Sequence, residues 1–334
     1  MYWFYIQFLF VILLSFWSQR AESLTKREEN ICRSSYNTSS VDGSYLMLLK
    51  QDILPNLYTS NKGDAGKIGI IGGSIEYTGA PYFSAITALK VGADLVYVIT
   101  TDTAAPVIKS YSPDLIVYPF LKYSTEHLSK IKALLPKMDV IVIGPGLGRE
   151  NDTLQLVYSI IEYCKELSKP LVIDADGLYA VSKNISILKE YPCPGLILTP
   201  NKREAEKLKE AVKDTNVDNW YKYWGNCVSV LVKGANDQHY SNEPYYMWSN
   251  GDGGSERRAA GQGDILSGAL GTYLNWALKS KLCDNVQLKH SVASFIAAKF
   301  TRMCNSKAYQ KYGRSMIASD MLQEIHIVFD LLFN

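Results

Sequence analysis

GKIGIIGGSIEYTGAPYFSAITALKVGADLVYV, residues 66 to 98, contains a strand, a turn, a helix and a second strand in order. KIGII (67 to 71) is a short Ile-rich run, broken by Gly72-Gly73-Ser74 and followed through Glu76-Tyr77-Thr78-Gly79-Ala80-Pro81 by a helical stretch. LVYVIT (95 to 100) is the next apolar run. Both runs are apolar on both faces, as strands sandwiched between helix layers must be. The connection is long enough for a crossover helix, which parallel neighbours require.

The same alternation continues outward through LIVY (115 to 118), VIVI (140 to 143), LVID (171 to 174), LILT (196 to 199) and SVLVK (229 to 233). It predicts an α/β fold with a doubly wound, mostly parallel sheet. No fixed-period repeat and no second linker interrupt residues 43 to 334, so one domain is expected there. Asn285 to Cys304 carries Val286, Val292, Phe295, Ile296 and Met303 at helical spacing, and 318 to 332 reads as a final helix. Both stretches are expected to cover the sheet.

Thirty-five Lys plus Arg against 33 Asp plus Glu leave a formal charge of +2, with no basic stripe, which argues against a nucleic-acid partner. Apolar residues at 47% suffice for a core. Six cysteines without a C-x-x-C pair imply neither a zinc framework nor a dense disulfide scaffold.

Residues 2 to 17 are uncharged, a polar stretch begins at Ser18, and Ala21-Glu22-Ser23 offers small residues for cleavage. Residues 1 to 23 are therefore read as a signal peptide, with an uncleaved signal anchor as the alternative. Residues 24 to 42 read as a polar linker or the second half of an organelle address. The chain is expected to enter the secretory pathway and travel onward to an organelle, with a mitochondrial destination as an alternative. Asn37, Asn151 and Asn184 begin glycosylation triplets.

In open sheets of this kind, ligands bind beyond the carboxyl ends of the strands. Four loops there stand out. Gly72-Gly73-Ser74 is a weak anion-loop signal without the P-loop pattern. Gly144-Pro145-Gly146-Leu147-Gly148-Arg149 ends in Arg149 where a Rossmann fingerprint needs glycine, so hydride transfer is disfavoured, yet three glycines point to close ligand approach. A branched side chain at Gly146 should fill space that the ligand needs. Thr199-Pro200-Asn201-Lys202-Arg203-Glu204 is explained by helix capping alone. Asp174 and Asp176 could likewise cap the next helix. A metal role for them stays open.

Ala260-Gly261-Gln262-Gly263-Asp264 is the strongest signal. Glycines at a helix start leave N–H groups pointing outward where the helix dipole favours negative charge, while two glycines in one turn cost helix stability that a simple cap does not require. A phosphoryl group would find donors at 261 to 263, and Asp264 is placed to take a hydroxyl proton. Lys233-Gly234-Ala235-Asn236-Asp237 ends a strand where a lysine can meet phosphates.

Taken in order, GKIGIIGGSIEYTGAPYFSAITALKVGADLVYV (66 to 98), SPDLIVYP (112 to 119), VIGPGLGRE (142 to 150), LVIDADGL (171 to 178), LTPNKREAEKL (198 to 208), VLVKGAND (230 to 237) and GQGDILSGAL (261 to 270) resemble the ATP-dependent NAD(P)H-hydrate dehydratases. The chain departs from that family's usual Cys-Gly before Gly-Gln-Gly-Asp, having Ala259-Ala260. The resemblance implies a ribokinase-like three-layer fold and ATP-dependent dehydration of the S epimer of hydrated NADH or NADPH, releasing ADP and phosphate. It implies Asp264 as catalytic base, and a hydrate site formed by Gly146, Asn201, Lys202, Arg203, Glu204, Ala205, Glu206, Lys207 and Asp264. It implies ATP contacts at Lys233, Gly234, Ala235, Asn236, Asp237, Ser255, Glu256, Arg257, Arg258, Ala259, Ala260, Gly261, Gln262 and Gly263. Mg2+ is expected with ATP, although no carboxylate cage stands out, and a homo-oligomer is compatible with the sequence. The competing expectation is a small-molecule kinase of the same fold, acting on a vitamin precursor, whose product keeps the phosphate.

Overall fold

A computed structural model of the chain describes residues 41–56, 61–213, 215, 218–280 and 282–333. The apolar segment at 2 to 17, the cleavage region and Asn37 lie outside them. Tyr45–Asn334 is one compact unit.

Its centre is a nine-stranded sheet in the order β3-β2-β1-β4-β5-β6-β7-β8-β9. The strands are β1 (Lys67–Ile71), β2 (Leu95–Ile99), β3 (Ile116–Tyr118), β4 (Val140–Ile143), β5 (Leu171–Ile173), β6 (Leu196–Leu198), β7 (Val228–Val232), β8 (Asp237–Tyr240) and β9 (Trp248–Asn250). The first seven pair in parallel, and all seven coincide with the apolar runs of the sequence. β8 and β9 extend the sheet antiparallel. The sequence reading missed both. They have three or four residues and no Val/Ile run, and in β8 buried Asp237 and His239 alternate with half-buried neighbours.

The helices are α1 (Val41–Leu48), α2 (Gly79–Val91), α3 (Ala105–Tyr111), α4 (Thr125–Leu134), α5 (Asn151–Glu166), α6 (Ala175–Lys183), α7 (Lys202–Val212), α8 (Gln262–Lys279), α9 (Val286–Tyr312), α10 (Ala318–Gln323) and α11 (Ile325–Phe333). α4 to α7 bury Ile131, Leu156, Ile160, Leu178 and Leu208 against one face of the sheet. On the other, α2 and α9 flank α8, which is buried along most of its length. The result is the three-layer sandwich that uniformly apolar strands require. The expected single helix over 318 to 332 is instead α10 and α11, broken at Glu324, whose buried carboxylate accepts from Lys311 Nζ at 2.6 Å.

The strand order runs outward from β1 to β3, then returns to place β4 beside β1. That reversal opens a crevice at the strands' carboxyl ends, where the loops after β1 and β4 leave. A disulfide, Cys193–Cys227, joins the segments entering β6 and β7 with a Cα–Cα distance of 5.2 Å. Cys164 and Cys304 are buried free thiols.

Candidate active site

The loop after β4 sits on the loop after β1. Gly73 N–H donates to Pro145 O at 3.0 Å. Gly146 has φ +61°, and a Cβ there would lie 2.8 Å from both Cβ and O of Tyr77. Its lack of a side chain therefore serves loop-on-loop packing. This corrects the expectation that a side chain at 146 would enter ligand space.

Beyond β5 the chain bends through Ala175, a non-glycine residue in the left-handed region at φ +47°. Such a conformation costs about 1 kcal/mol or more and persists where surroundings impose it. Here it separates two carboxylates with different duties. Asp174 is 1% exposed and pairs with Lys233 Nζ at 2.5 Å, so it does not cap α6 with its side chain. Asp176 accepts from Gly148 N–H at 3.1 Å and from Arg149 Nε at 2.8 Å. The buried Asp174–Lys233 pair joins the ends of β5 and β7 across β6.

Glu204 and Asp264 complete a cluster around Lys233. Burial pushes the Glu204 carboxyl up, with Lys233 pulling the other way. Burial also opposes the Lys233 ammonium, but Asp174, Glu204 and Asp264 outweigh it and hold its pKa above the ordinary lysine value. Burial and the neighbouring negative charge of Asp174 raise the pKa of Asp264 to about 8, against the opposing pull of Lys233. A carboxyl poised near the working pH can accept a proton from a hydroxyl and keep it, which an ordinary aspartate does poorly.

Asp264 lies in the first turn of α8, whose N-cap Gly261 has φ +90°. Ala259 and Ala260 need no left-handed backbone, so the departure from Cys-Gly is accommodated without strain. The first-turn N–H groups of Gly263 and Asp264 have no acceptor within the helix and form an anion-binding terminus. Gln262 N–H is spent on Ala259 O at 3.3 Å. The expectation of donors at 261 to 263 is thus corrected at its middle residue.

Next to this terminus is a cavity of about 380 Å³ lined by Asn201, Lys233, Gly234, Asp237, Gly254, Ser255, Arg258, Ala259, Gln262, Gly263, Leu266, Ala298, Thr301, Arg302 and Asn305. The segments assigned to ATP from sequence, Lys233 to Asp237 and Ser255 to Gly263, converge on it. Within them Asn236, Glu256 and Ala260 are exposed, and Arg257 Nε donates to Met316 O at 3.4 Å. Gly263 and Leu266 of α8 both line the cavity, and Asp264 lies between them without lining it.

The stretch 201 to 207 is divided by the geometry of α7. Asn201 and Glu204 form a reciprocal capping box beside the cluster, Asn201 N–H donating to Glu204 Oε2 at 2.8 Å. Lys202, Arg203 and Glu206 are exposed, whereas Ala205 is 3% exposed and packs inward, offering no contact surface. Lys207 lines a separate groove with Tyr179, Lys183 and Glu210. Sequence reading missed Ala298, Thr301, Arg302 and Asn305 of α9, which it took as cover for the sheet. The available signal was polar Arg302 and Asn305 on an otherwise buried helix. Among the described residues no group of three or more metal-ligating side chains occurs, and Asp174 is paired with Lys233.

A parallel three-layer sheet with a glycine-started helix and an aspartate beside a nucleotide-sized cavity is the arrangement of the ribokinase-like proteins. Solved structures agree on the fold. A ribokinase-like protein from Enterococcus faecalis covers 86% of this chain and 95% of its own with TM-score 0.66 at 19% identity. The ADP/ATP-dependent NAD(P)H-hydrate dehydratase of Bacillus subtilis, co-crystallised with ATP/Mg2+, covers 86% and 97% with TM-score 0.62 at 18% identity. The family model for NAD(P)H-hydrate dehydratase matches residues 68–326. Proteins named ATP-dependent (S)-NAD(P)H-hydrate dehydratase are 47% identical in Aedes aegypti, over 89% of this chain and 87% of that one, and 42% identical in Homo sapiens, over 86% and 84%. The chain belongs to the NAD(P)H-hydrate dehydratase family.

Proposed function

We propose that the protein is a lyase that repairs nicotinamide nucleotides, dehydrating the S epimer of hydrated NADH or NADPH at the expense of ATP. The observation that carries this reading is Asp264, a carboxyl with its pKa near 8 at the mouth of the α8 terminus and next to the cavity. Hydroxide is a poor leaving group. Asp264 takes the proton of the C6 hydroxyl as its oxygen attacks the γ-phosphorus, and ADP departs. The outward N–H groups of Gly263 and Asp264, with the Lys233 ammonium, oppose the developing negative charge. The lone pair of ring N1 then expels phosphate, and loss of a C5 proton restores the C5–C6 double bond.

ATP fits the cavity side, with Lys233, Gly234, Arg258, Ala259, Gln262 and Gly263 on its wall, and the hydrate fits the side bearing Gly146, Glu204 and Asp264, with Asn201 lining the cavity as well. Mg2+ enters with the nucleotide in this reading: the Bacillus subtilis neighbour was co-crystallised with ATP/Mg2+. The donor set suits an ion carried largely by phosphates rather than held in a closed protein cage. Relatives named as dehydratases favour this reaction over the small-molecule kinase. The test is incubation of the purified protein with ATP, Mg2+ and separated hydrate epimers. Recovery of dihydronicotinamide absorbance with stoichiometric inorganic phosphate from the S epimer is the expected result. A stable phosphorylated product would instead mean a kinase.

For localisation, we propose secretory entry through residues 1 to 23, followed by transit to an organelle. The Cys193–Cys227 disulfide supports an oxidising passage.

A further inference from the structure

Helix α9 reaches both loops of the cavity with two buried polar side chains. Arg302 is 9% exposed, and its Nε donates to Asp237 Oδ2 at 2.7 Å. Its terminal nitrogens donate to the carbonyls of Gly234 at 3.0 Å, Ala235 at 2.7 Å, Gly251 at 3.2 Å and Gly253 at 3.4 Å. Asp237 turns its other oxygen to Gly234 N–H at 2.9 Å. Three residues further along the helix, Asn305 is 1% exposed. Its Oδ1 accepts from Ser255 N–H and Oγ, each at 2.7 Å, while its Nδ2 donates to Arg257 O at 3.0 Å and Gln262 Oε1 at 3.2 Å.

These bonds hold backbone that has no ladder of its own. Residues 234 to 236 and 251 to 260 are turns and irregular chain, yet they supply Gly234, Gly254, Ser255, Arg258 and Ala259 of the cavity wall. One rigid helix therefore sets the spacing between two otherwise soft loops. Ordering soft loops at the moment of binding costs affinity, and fixing them beforehand avoids that cost. Arginine suits the task because its planar fork can serve several carbonyls at once, which a lysine cannot.

We infer that Arg302 and Asn305 are positioning residues for the nucleotide, and that Asp237 belongs to the same clamp rather than touching ATP directly. This rests on reading the cavity as the ATP site. The hydrate side is built on other loops, those of Gly146, Glu204 and Asp264, so loss of the clamp should separate the two ligands.

The experiment measures ATP binding by calorimetry with Mg2+, together with kcat and KM for ATP and for hydrate, on full-length Asn305→Ala, Arg302→Met, Arg302→Lys and Arg302→Met/Asp237→Asn. Kd and KM for ATP should rise about tenfold or more in Asn305→Ala and Arg302→Met, the scale of one lost hydrogen bond. KM for hydrate should stay within about twofold, because binding that is not shared between ligands is lost for one only. Arg302→Lys should recover part of the ATP affinity, and adding Asp237→Asn to Arg302→Met should cost little more, as members of one clamp are not additive. Folded Asn305→Ala with wild-type ATP affinity would overturn the proposal, as would an equal rise in both KM values. Asn305→Ala leaves every Arg302 bond in place, so it decides the matter if Arg302→Met does not fold. A wild-type protein that binds no ATP overturns the clamp together with the site reading. One that binds ATP without dehydrating the hydrate overturns the proposed reaction alone, and the binding series still decides the clamp.

Discussion

As the proposed base, Asp264 carries a raised pKa that sets how stability changes with pH. Burial and the charge of Asp174 push its carboxyl up to about 8 in the folded protein, well above the ordinary aspartate value of about 3.9. Between those values the folded state keeps a proton that the unfolded chain has released, so stability falls as pH rises through this window and is lowest above it. Asp264→Asn removes the penalty. It should be more stable than wild type by up to about 4 kcal/mol near neutral pH, with the gain vanishing near pH 4; thermal melts across pH check this as a higher Tm. Turnover should drop about 10²- to 10⁴-fold while ATP still binds. Near-normal turnover in this variant would reduce Asp264 to a helix residue. In wild type, kcat/KM for hydrate should rise with pH toward about 8 as the base form appears. Since the Lys233 cation lowers the Asp264 pKa, Lys233→Met should move that acid limb to higher pH. A limb that stays in place would break the coupling.

At the scale of elements, the site depends on close approach. α8 lies against α2 so tightly that a Cβ at Gly268 would come 2.0 Å from Ser84 O. Gly268→Ala must push the helices apart, costing about 1–3 kcal/mol, read as a fall in Tm of roughly 2–4 °C per kcal/mol. The shift also moves the α8 terminus, so activity should fall with it. Gly146→Val is expected to act through the Tyr77 contact, lowering Tm and weakening ATP and hydrate alike. A selective loss of hydrate binding with unchanged Tm would return Gly146 to the ligand surface. The alternation of uniformly apolar runs with helical stretches made β1 to β7 legible, because burial on both faces leaves its mark on every residue. β8 and β9 left none, being held by pairing with β7 rather than by their own composition.

For the whole molecule, the disulfide and the targeting segment make one prediction each. Cys193–Cys227 closes a loop with a sequence separation of 34. Its reduction should cost about 2–4 kcal/mol, seen as a lower Tm with reductant that Cys193→Ser reproduces. Asn151 is the first residue of α5 and lies three positions beyond Gly148, whose N–H is bonded to Asp176. A glycan there is bulky and hydrated and would crowd the cluster. Active protein from its native cells should therefore carry no sugar at Asn151, and Asn37 should be the preferred acceptor. Full occupancy of Asn151 in active enzyme, read by mass spectrometry, would move that loop away from the substrate. An intact segment 1 to 23 in the same spectra would mean anchoring in place of cleavage.

Local chain chemistry was sufficient for much of this. Apolar runs marked the parallel strands, glycines beside Asp264 marked the α8 terminus, and Asn201 with Glu204 marked the capping box, since each depends on residues within a few positions of one another. Tertiary structure alone decided the rest. The Asp174–Lys233 pair spans 59 residues of sequence, and Arg302 meets Gly234 and Asp237 from 68 and 65 residues away. The pKa of Asp264 depends on burial and on charges just beyond β5 and β7 and in α6. Side chains brought together only when the sheet closes leave no periodicity in the chain, so the contacts of Arg302 and Asn305 and the raised pKa of Asp264 could be found only in the folded protein.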